Sequence, residues 1–130
     1  MNNATNDRPV GPRILIVEDE MLIAWAIEDL LTGLGYQVVG PATRVAQAIE
    51  MIDKELIDAA VVDLDLNGEK SYPVADRLVA AGVPFIFSTG YQPGNIPKDY
   101  QMFPAMQKPY ASASLDHALA KLLNTRPSGY

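Results

Sequence analysis

The fold is decided by residues 59–68, which read AAVVDLDLNG. The apolar first half contains β-branched valines and predicts a strand buried on both faces of a parallel sheet. The Asn67-Gly68 pair predicts a turn, because both residue types tolerate positive φ at low cost. Asp63 is therefore expected at the carboxyl end of a central strand, the edge at which open α/β sheets bind their ligands. From this stretch alone, a role for Asp63 as a mere cap of the next turn is equally open.

The other segments alternate between apolar runs and helical patterns with apolar residues three and four positions apart. The predicted strands are 13–17, 36–40, 58–63, 83–87 and 102–106, and the predicted helices cover roughly 22–34, 43–52, 71–81 and 112–123. Thr43 is a predicted N-cap. Residues 91–101 contain two prolines and a glycine, so the fourth helix that the alternation requires is expected to be short or disordered. We expect a flexible leader (1–12), one domain (13–124) and a flexible tail (125–130).

Five strands alternating with helices predict a flavodoxin-like α/β fold. The sheet is expected to be parallel and doubly wound, with strand order 2-1-3-4-5 and helices on both faces. Several polar residues then follow the carboxyl ends of neighbouring strands and gather at one edge of the sheet. They are Glu18 and Asp19 after the first strand, Asp63 at the third, Thr89 after the fourth and Lys108 after the fifth.

This group of residues predicts phosphoryl chemistry supported by a metal. Crowded carboxylates repel one another, and Mg²⁺ relieves the repulsion because it takes oxygen ligands, retains waters and often shares its shell with phosphate. Asp63 offers one oxygen to the metal and the other as a nucleophile, which gives an aspartyl phosphate. Lys108 and the Thr89 hydroxyl then offset the charge on the phosphoryl oxygens.

Each of these residues also has a structural explanation by itself. Glu18-Asp19 suits the acidic first turn of a helix, Thr89 suits the start of a turn, and Lys108 suits an ordinary surface lysine. Their joint placement at four strand ends favours the functional interpretation.

The composition excludes several classes of function. The chain has 130 residues and a formal net charge of −6, which argues against nucleic-acid binding because that needs a basic face. It has no cysteine and one histidine, so disulfides and a transition-metal cage are not expected. Apolar runs are broken by proline and glycine, and no export signal precedes them. We expect a cytoplasmic protein without a membrane partner.

With these residues in place, the chain resembles the receiver domain of two-component response regulators over roughly residues 13–123. The matching features are Glu18-Asp19, Asp63, Ser88-Thr89-Gly90 and Lys108-Pro109, and their spacing agrees with that of the family. The resemblance implies that Asp63 accepts phosphate from a sensor histidine kinase and that the protein is not a turnover enzyme.

The resemblance also implies a set of site roles. Asp19 and Asp63 would bind Mg²⁺ by their side chains, Glu18 through a water, and Asp65 through its main-chain carbonyl. Thr89 and Lys108 would bind the phosphoryl oxygens. Asp65 is acidic where the family varies, and our own hypothesis is that its side chain repels or orients the hydrolytic water and so tunes the lifetime of the phosphate.

One departure from the family pattern concerns the switch. Ala105 stands where the family usually has an aromatic residue, and residues 84–91 (PFIFSTGY) instead resemble the FAT GUY subfamily of receivers. That resemblance implies an HWE-type kinase as donor and a downstream signalling protein or phosphotransferase as recipient. It also implies a single-domain regulator that is a monomer or a weak dimer when phosphorylated. Our hypothesis is that order and disorder of residues 91–101, coupled through Thr89 and Tyr91, carry the switch.

Three other functions stay open. Asp63-Leu64-Asp65 is similar to the first motif of haloacid-dehalogenase-type phosphatases, although that motif belongs on a first strand. A flavodoxin-like flavin site is disfavoured because acids follow the first strand instead of a phosphate-binding loop. A receiver-like binding module that is never phosphorylated is the third alternative.

Overall fold

The computed structural model of the chain describes residues 11–90 and 96–125. Most of the predicted leader and tail, residues 1–10 and 126–130, lies outside the described residues, and so does 91–95 of the segment predicted to hold the fourth helix. The strands are β1 (Arg13–Val17), β2 (Gln37–Ala42), β3 (Ala59–Asp63), β4 (Asp65–Leu66), β5 (Glu69–Lys70), β6 (Phe85–Thr89) and β7 (Ala105–Gln107). The α-helices are α1 (Met21–Gly33), α2 (Val45–Lys54), α3 (Tyr72–Ala80) and α4 (Ser112–Thr125), and Lys98–Tyr100 form a 3₁₀ turn.

The main sheet has five parallel strands in the order β2-β1-β3-β6-β7. This is the predicted order, since β4 and β5 are two-residue strands that pair only with each other in a separate antiparallel hairpin. The winding reverses between β1 and β3, so the carboxyl ends of these neighbouring strands flank the crevice at which such sheets bind ligands.

Both faces of the sheet are covered, which explains why its strands read as continuous apolar runs. Alternate strand residues such as Leu15 and Val62 belong to a core shared with α2 and α3, whereas Ile14 and Val61 belong to a second core shared with α1 and α4. All five residues of β3 are buried. The central strand is thus held from both sides, and Asp63 at its end is held with it.

Some local predictions need correction. Thr43 is not the N-cap of α2: that position is Arg44, and the Gln47 side chain instead accepts a hydrogen bond from the Thr43 N–H at 2.8 Å. Strand β6 begins two residues later than predicted and runs on to include Thr89, because its pairing with β7 continues to the Thr89–Gln107 pair. These shifts move element ends and leave the topology unchanged.

The described part of the predicted fourth helix, residues 96–101, contains only the 3₁₀ turn, which confirms a short helix there. An aromatic contact anchors this turn. Tyr100 stacks on Tyr72 of α3 with ring centroids 4.4 Å apart, and its hydroxyl donates to Asp76 at 3.0 Å. Within the described ranges, no helix has the length and apolar character needed to cross a bilayer.

Candidate functional site

The candidate site lies at the carboxyl ends of β1, β3, β6 and β7. Pairing of the strands aligns these ends, because Asp63 at the end of β3 is in register with Ser88 of β6. The Lys108 N–H then donates to the Thr89 carbonyl at 2.7 Å, which fixes the first residue after β7 against the end of β6. Thr89 itself is buried.

Three carboxylates meet at this edge. Glu18, Asp19 and Asp63 each offer an oxygen, and the three oxygens lie within 4.8 Å of one another. Glu18 is 1% exposed and Asp63 8% exposed, so neither charge is well solvated. Burying like charges together is costly unless a cation joins them. Clustered carboxylate oxygens are the donor set that Mg²⁺ prefers, so these residues fit that ion.

Lys108 supplies the positive charge that the structure places among these acids. Its Nζ lies 2.7 Å from Glu18 Oε1 and 3.2 Å from Asp63 Oδ2, and its side chain is 16% exposed. Burial lowers the pKa of Lys108, but its hydrogen bonds to both acids and their charges outweigh burial, so the pKa is raised overall. Lys108 is therefore a cation throughout the neutral range.

The Asp63 carboxyl is strongly perturbed. Burial and the negative charge of Glu18 raise the pKa of Asp63 from 3.8 to about 7, although Lys108 and the Asp65 N–H act in the opposite direction. The positive charge of Lys108 alone therefore does not offset the effects of burial and of Glu18 on Asp63. A divalent cation bound there would lower the pKa of Asp63 and keep it ionised.

The β4–β5 hairpin closes the site from one side through its backbone. The Asp65 N–H donates to Asp63 Oδ1 at 3.3 Å, and the Asn67 N–H donates to Asp19 Oδ2 at 2.9 Å. Asn67 and Gly68 both have positive φ, at 51° and 85°, as a two-residue turn joining twisted strands requires. The turn chemistry of the sequence therefore orients two of the three acids.

The structure brings together Glu18, Asp19, Asp63 and Lys108, as predicted. Asp65 approaches Asp63 by its backbone, whereas its carboxylate pairs with Lys70 Nζ at 2.6 Å. Sequence reasoning missed Lys70 and the donor role of the Asn67 N–H. The Asn-Gly signal for a hairpin could have found Lys70, since it places Asp65 opposite Lys70.

Comparisons with known proteins agree on one family. A family model described as the response regulator receiver domain matches residues 14–120. The solution structure of SdrG from Sphingomonas melonis Fr1 is 42% identical, with a TM-score of 0.78, and the match covers 87% of this chain and 97% of SdrG. A second similar structure is the receiver domain of a sensor histidine kinase from Pseudomonas aeruginosa PAO1, solved with a magnesium ion in its active-site cleft. It is 25% identical with a TM-score of 0.74, and the match covers 88% of this chain and 99% of that one.

A curated relative is much longer than this chain. The phyllosphere-induced regulator PhyR of Methylorubrum extorquens is 35% identical over 85 residues, which are 63% of this chain and 32% of PhyR. The chain thus spans about a third of the length of PhyR.

Proposed function

The chain belongs to the response regulator receiver domain family, and from this premise we propose that Asp63 accepts a phosphoryl group from a sensor histidine kinase. The observation that carries the proposal is the Asp63 carboxylate itself. It lies at the end of the central strand, with Glu18 and Asp19 within 4.8 Å and the Lys108 amine at 3.2 Å. Among the described residues, this group combines a nucleophile, a metal-binding donor set and a fixed cation.

In the proposed reaction, an Asp63 oxygen attacks the phosphorus of a phosphohistidine. One O–P bond forms as the donor's N–P bond breaks, and the electron pair of the broken bond stays on the imidazole. Positioning and counter-charge supply most of the catalysis in such transfers. Asp63 is oriented for attack by the Asp65 N–H on one oxygen and by Lys108 on the other.

Mg²⁺ would be held by the side chains of Asp19 and Asp63, by the Asp65 carbonyl and through a water on Glu18, and would supply positive charge for the phosphoryl oxygens. Lys108 already touches Asp63, so a phosphoryl group on that residue arrives within reach of its amine. Thr89 ends the neighbouring strand and is proposed to donate its hydroxyl to another phosphoryl oxygen.

The proposal also covers the partners and the location of the protein. They are an HWE-type kinase as donor, a downstream signalling protein or phosphotransferase as recipient, and a cytoplasmic location. We also propose that the protein is a monomer, or a weak dimer when it is phosphorylated. The resemblance of residues 84–91 to the FAT GUY subfamily supports the assignment of the kinase type and of the recipient. Family members act as phosphoacceptors rather than as turnover enzymes, so catalytic hydrolysis of an aryl phosphate is not expected.

The test is phosphorylation of the purified protein by acetyl phosphate with Mg²⁺, followed by intact-mass measurement. We expect a mass increase of one phosphoryl group in the wild type and none in Asp63→Asn or when EDTA replaces Mg²⁺. Equal labelling of the wild type and Asp63→Asn would show that another residue is the acceptor. Rapid turnover of an aryl phosphate would favour the phosphatase alternative instead.

A further inference from the structure

The β4–β5 hairpin holds a second ion pair beside the site. Asp65 and Lys70 are directly opposite each other in the antiparallel register, so their side chains project from the same face of the hairpin. Lys70 Nζ lies 2.6 Å from Asp65 Oδ1. The other cross-strand pair is Leu66 and Glu69, and Leu66 packs into the core below α2 and α3. The buried leucine thus directs the Asp65–Lys70 pair away from that core.

The Asp65 carboxylate is close enough to the acceptor to matter. The Asp65 amide nitrogen is 3.3 Å from Asp63 Oδ1, and bond lengths then keep its carboxylate within roughly 8 Å of that oxygen. Even so, within the part of the chain that the structure describes, the convergent carboxylate group consists of Glu18, Asp19 and Asp63. The fourth acid is adjacent to the group, and its oxygen is bound to Lys70.

We propose that Lys70 is a positioning residue that keeps the Asp65 carboxylate out of the metal shell and thereby favours Mg²⁺ over Ca²⁺. The inference rests on the proposed function and refines it by naming a residue that selects the metal. Mg²⁺ demands a near-ideal octahedron and keeps several waters, so a few carboxylates suit it. Ca²⁺ takes six to eight oxygens in flexible geometry, so a fourth convergent carboxylate benefits Ca²⁺ more.

The same pair affects the approach of the phosphate donor. Asp65 and Lys70 together are nearly neutral to an incoming anion, whereas loss of the Lys70 charge leaves one more net negative charge at the edge of the site. Removal of Lys70 therefore produces two opposite effects. Divalent cations bind more tightly, and phosphorylation by an anionic donor at saturating Mg²⁺ becomes slower.

The experiment measures Mg²⁺ and Ca²⁺ dissociation constants by titration calorimetry for the wild type and Lys70→Met. We expect Ca²⁺ to bind about three- to tenfold more tightly to Lys70→Met, with a smaller gain for Mg²⁺. The acetyl phosphate reaction at saturating Mg²⁺ should slow by about the same factor. Lys70→Arg should keep wild-type values, and adding Asp65→Asn to Lys70→Met should remove the gain in Ca²⁺ affinity.

The matched control is Lys54→Met. Lys54 also pairs with a carboxylate, Glu50, at 2.8 Å, but it ends α2 at the side of the sheet away from the site, and its loss changes net charge equally. An unchanged ratio of Ca²⁺ to Mg²⁺ affinity in Lys70→Met, or an equal change in Lys54→Met, overturns the inference. Failure of the wild type to be phosphorylated would overturn the proposed function alone, because the metal titrations do not depend on phosphorylation.

Discussion

Replacement of Asp63 by asparagine should stabilise the metal-free protein above neutral pH. Burial, together with the charge of Glu18, raises the pKa of Asp63 from 3.8 to about 7. Each pKa unit corresponds to about 1.4 kcal/mol, so ionisation of Asp63 costs the native state up to ~4 kcal/mol. Asparagine has nearly the shape of the protonated acid and avoids this cost.

The sign of the pH dependence follows from proton binding. The native state holds the Asp63 proton up to about pH 7, whereas the unfolded chain loses it near pH 4. Between these values the native state binds more protons, so the contribution of this group to stability is present at low pH and is lost as the pH rises through 7. The stability advantage of Asp63→Asn should therefore be near zero at pH 4 and about 2–4 kcal/mol at pH 8.

The assay is urea unfolding followed by circular dichroism from pH 4 to pH 8, in EDTA. Asp29→Asn, which removes an exposed acid of α1, is the control for the general effect of charge and should show no such trend. Excess Mg²⁺ should shrink this advantage at pH 8, because a ligand at one hundred times its Kd stabilises the native state by about 2.7 kcal/mol and Asp63→Asn loses a ligand atom. The reasoning would be refuted if the difference in free energy of unfolding between Asp63→Asn and the wild type did not change with pH. It would also be refuted if Asp63→Asn were the less stable protein at pH 8 in EDTA.

Other substitutions test separate features of the structure. Lys108→Met leaves two buried acids without their counter-charge, so the metal-free protein should lose about 3 kcal/mol in urea unfolding, and Mg²⁺ should bind more tightly by calorimetry. The Ser71 hydroxyl is buried with no hydrogen-bond partner among the described residues, so Ser71→Ala should raise the free energy of unfolding by about 1 kcal/mol; a loss of stability would contradict this. Tyr100→Ala removes the stack on Tyr72 and should speed amide exchange in the 3₁₀ turn, whereas Tyr100→Phe keeps the stack and should change it little. If residues 91–101 carry the switch, a beryllofluoride phosphate mimic should change amide exchange across residues 90–105, and unchanged exchange would contradict that hypothesis.

Local patterns in the sequence were enough to predict the fold. The apolar run before Asp63 reads as a strand because both faces of β3 are covered, and apolar residues at helical spacing mark the helices that cover them. With five such units, right-handed crossovers leave few topologies. The prediction that acids from β1 and β3 meet a lysine after β7 followed from strand order alone. The short helical turn within 96–101 was expected from the sequence because proline removes backbone donors.

The tertiary structure alone decided what the site residues contact and how they titrate. Lys108 and Glu18 are 90 residues apart in the chain, and their 2.7 Å contact depends on the register of four strands. The raised pKa of Asp63 depends on burial and on a neighbour from another strand. The hydrogen bond from Asn67 to Asp19 depends on how the hairpin folds back over the sheet edge. Periodicity encodes which face a residue occupies, whereas distances of a few ångströms between remote side chains are set by packing of the whole domain.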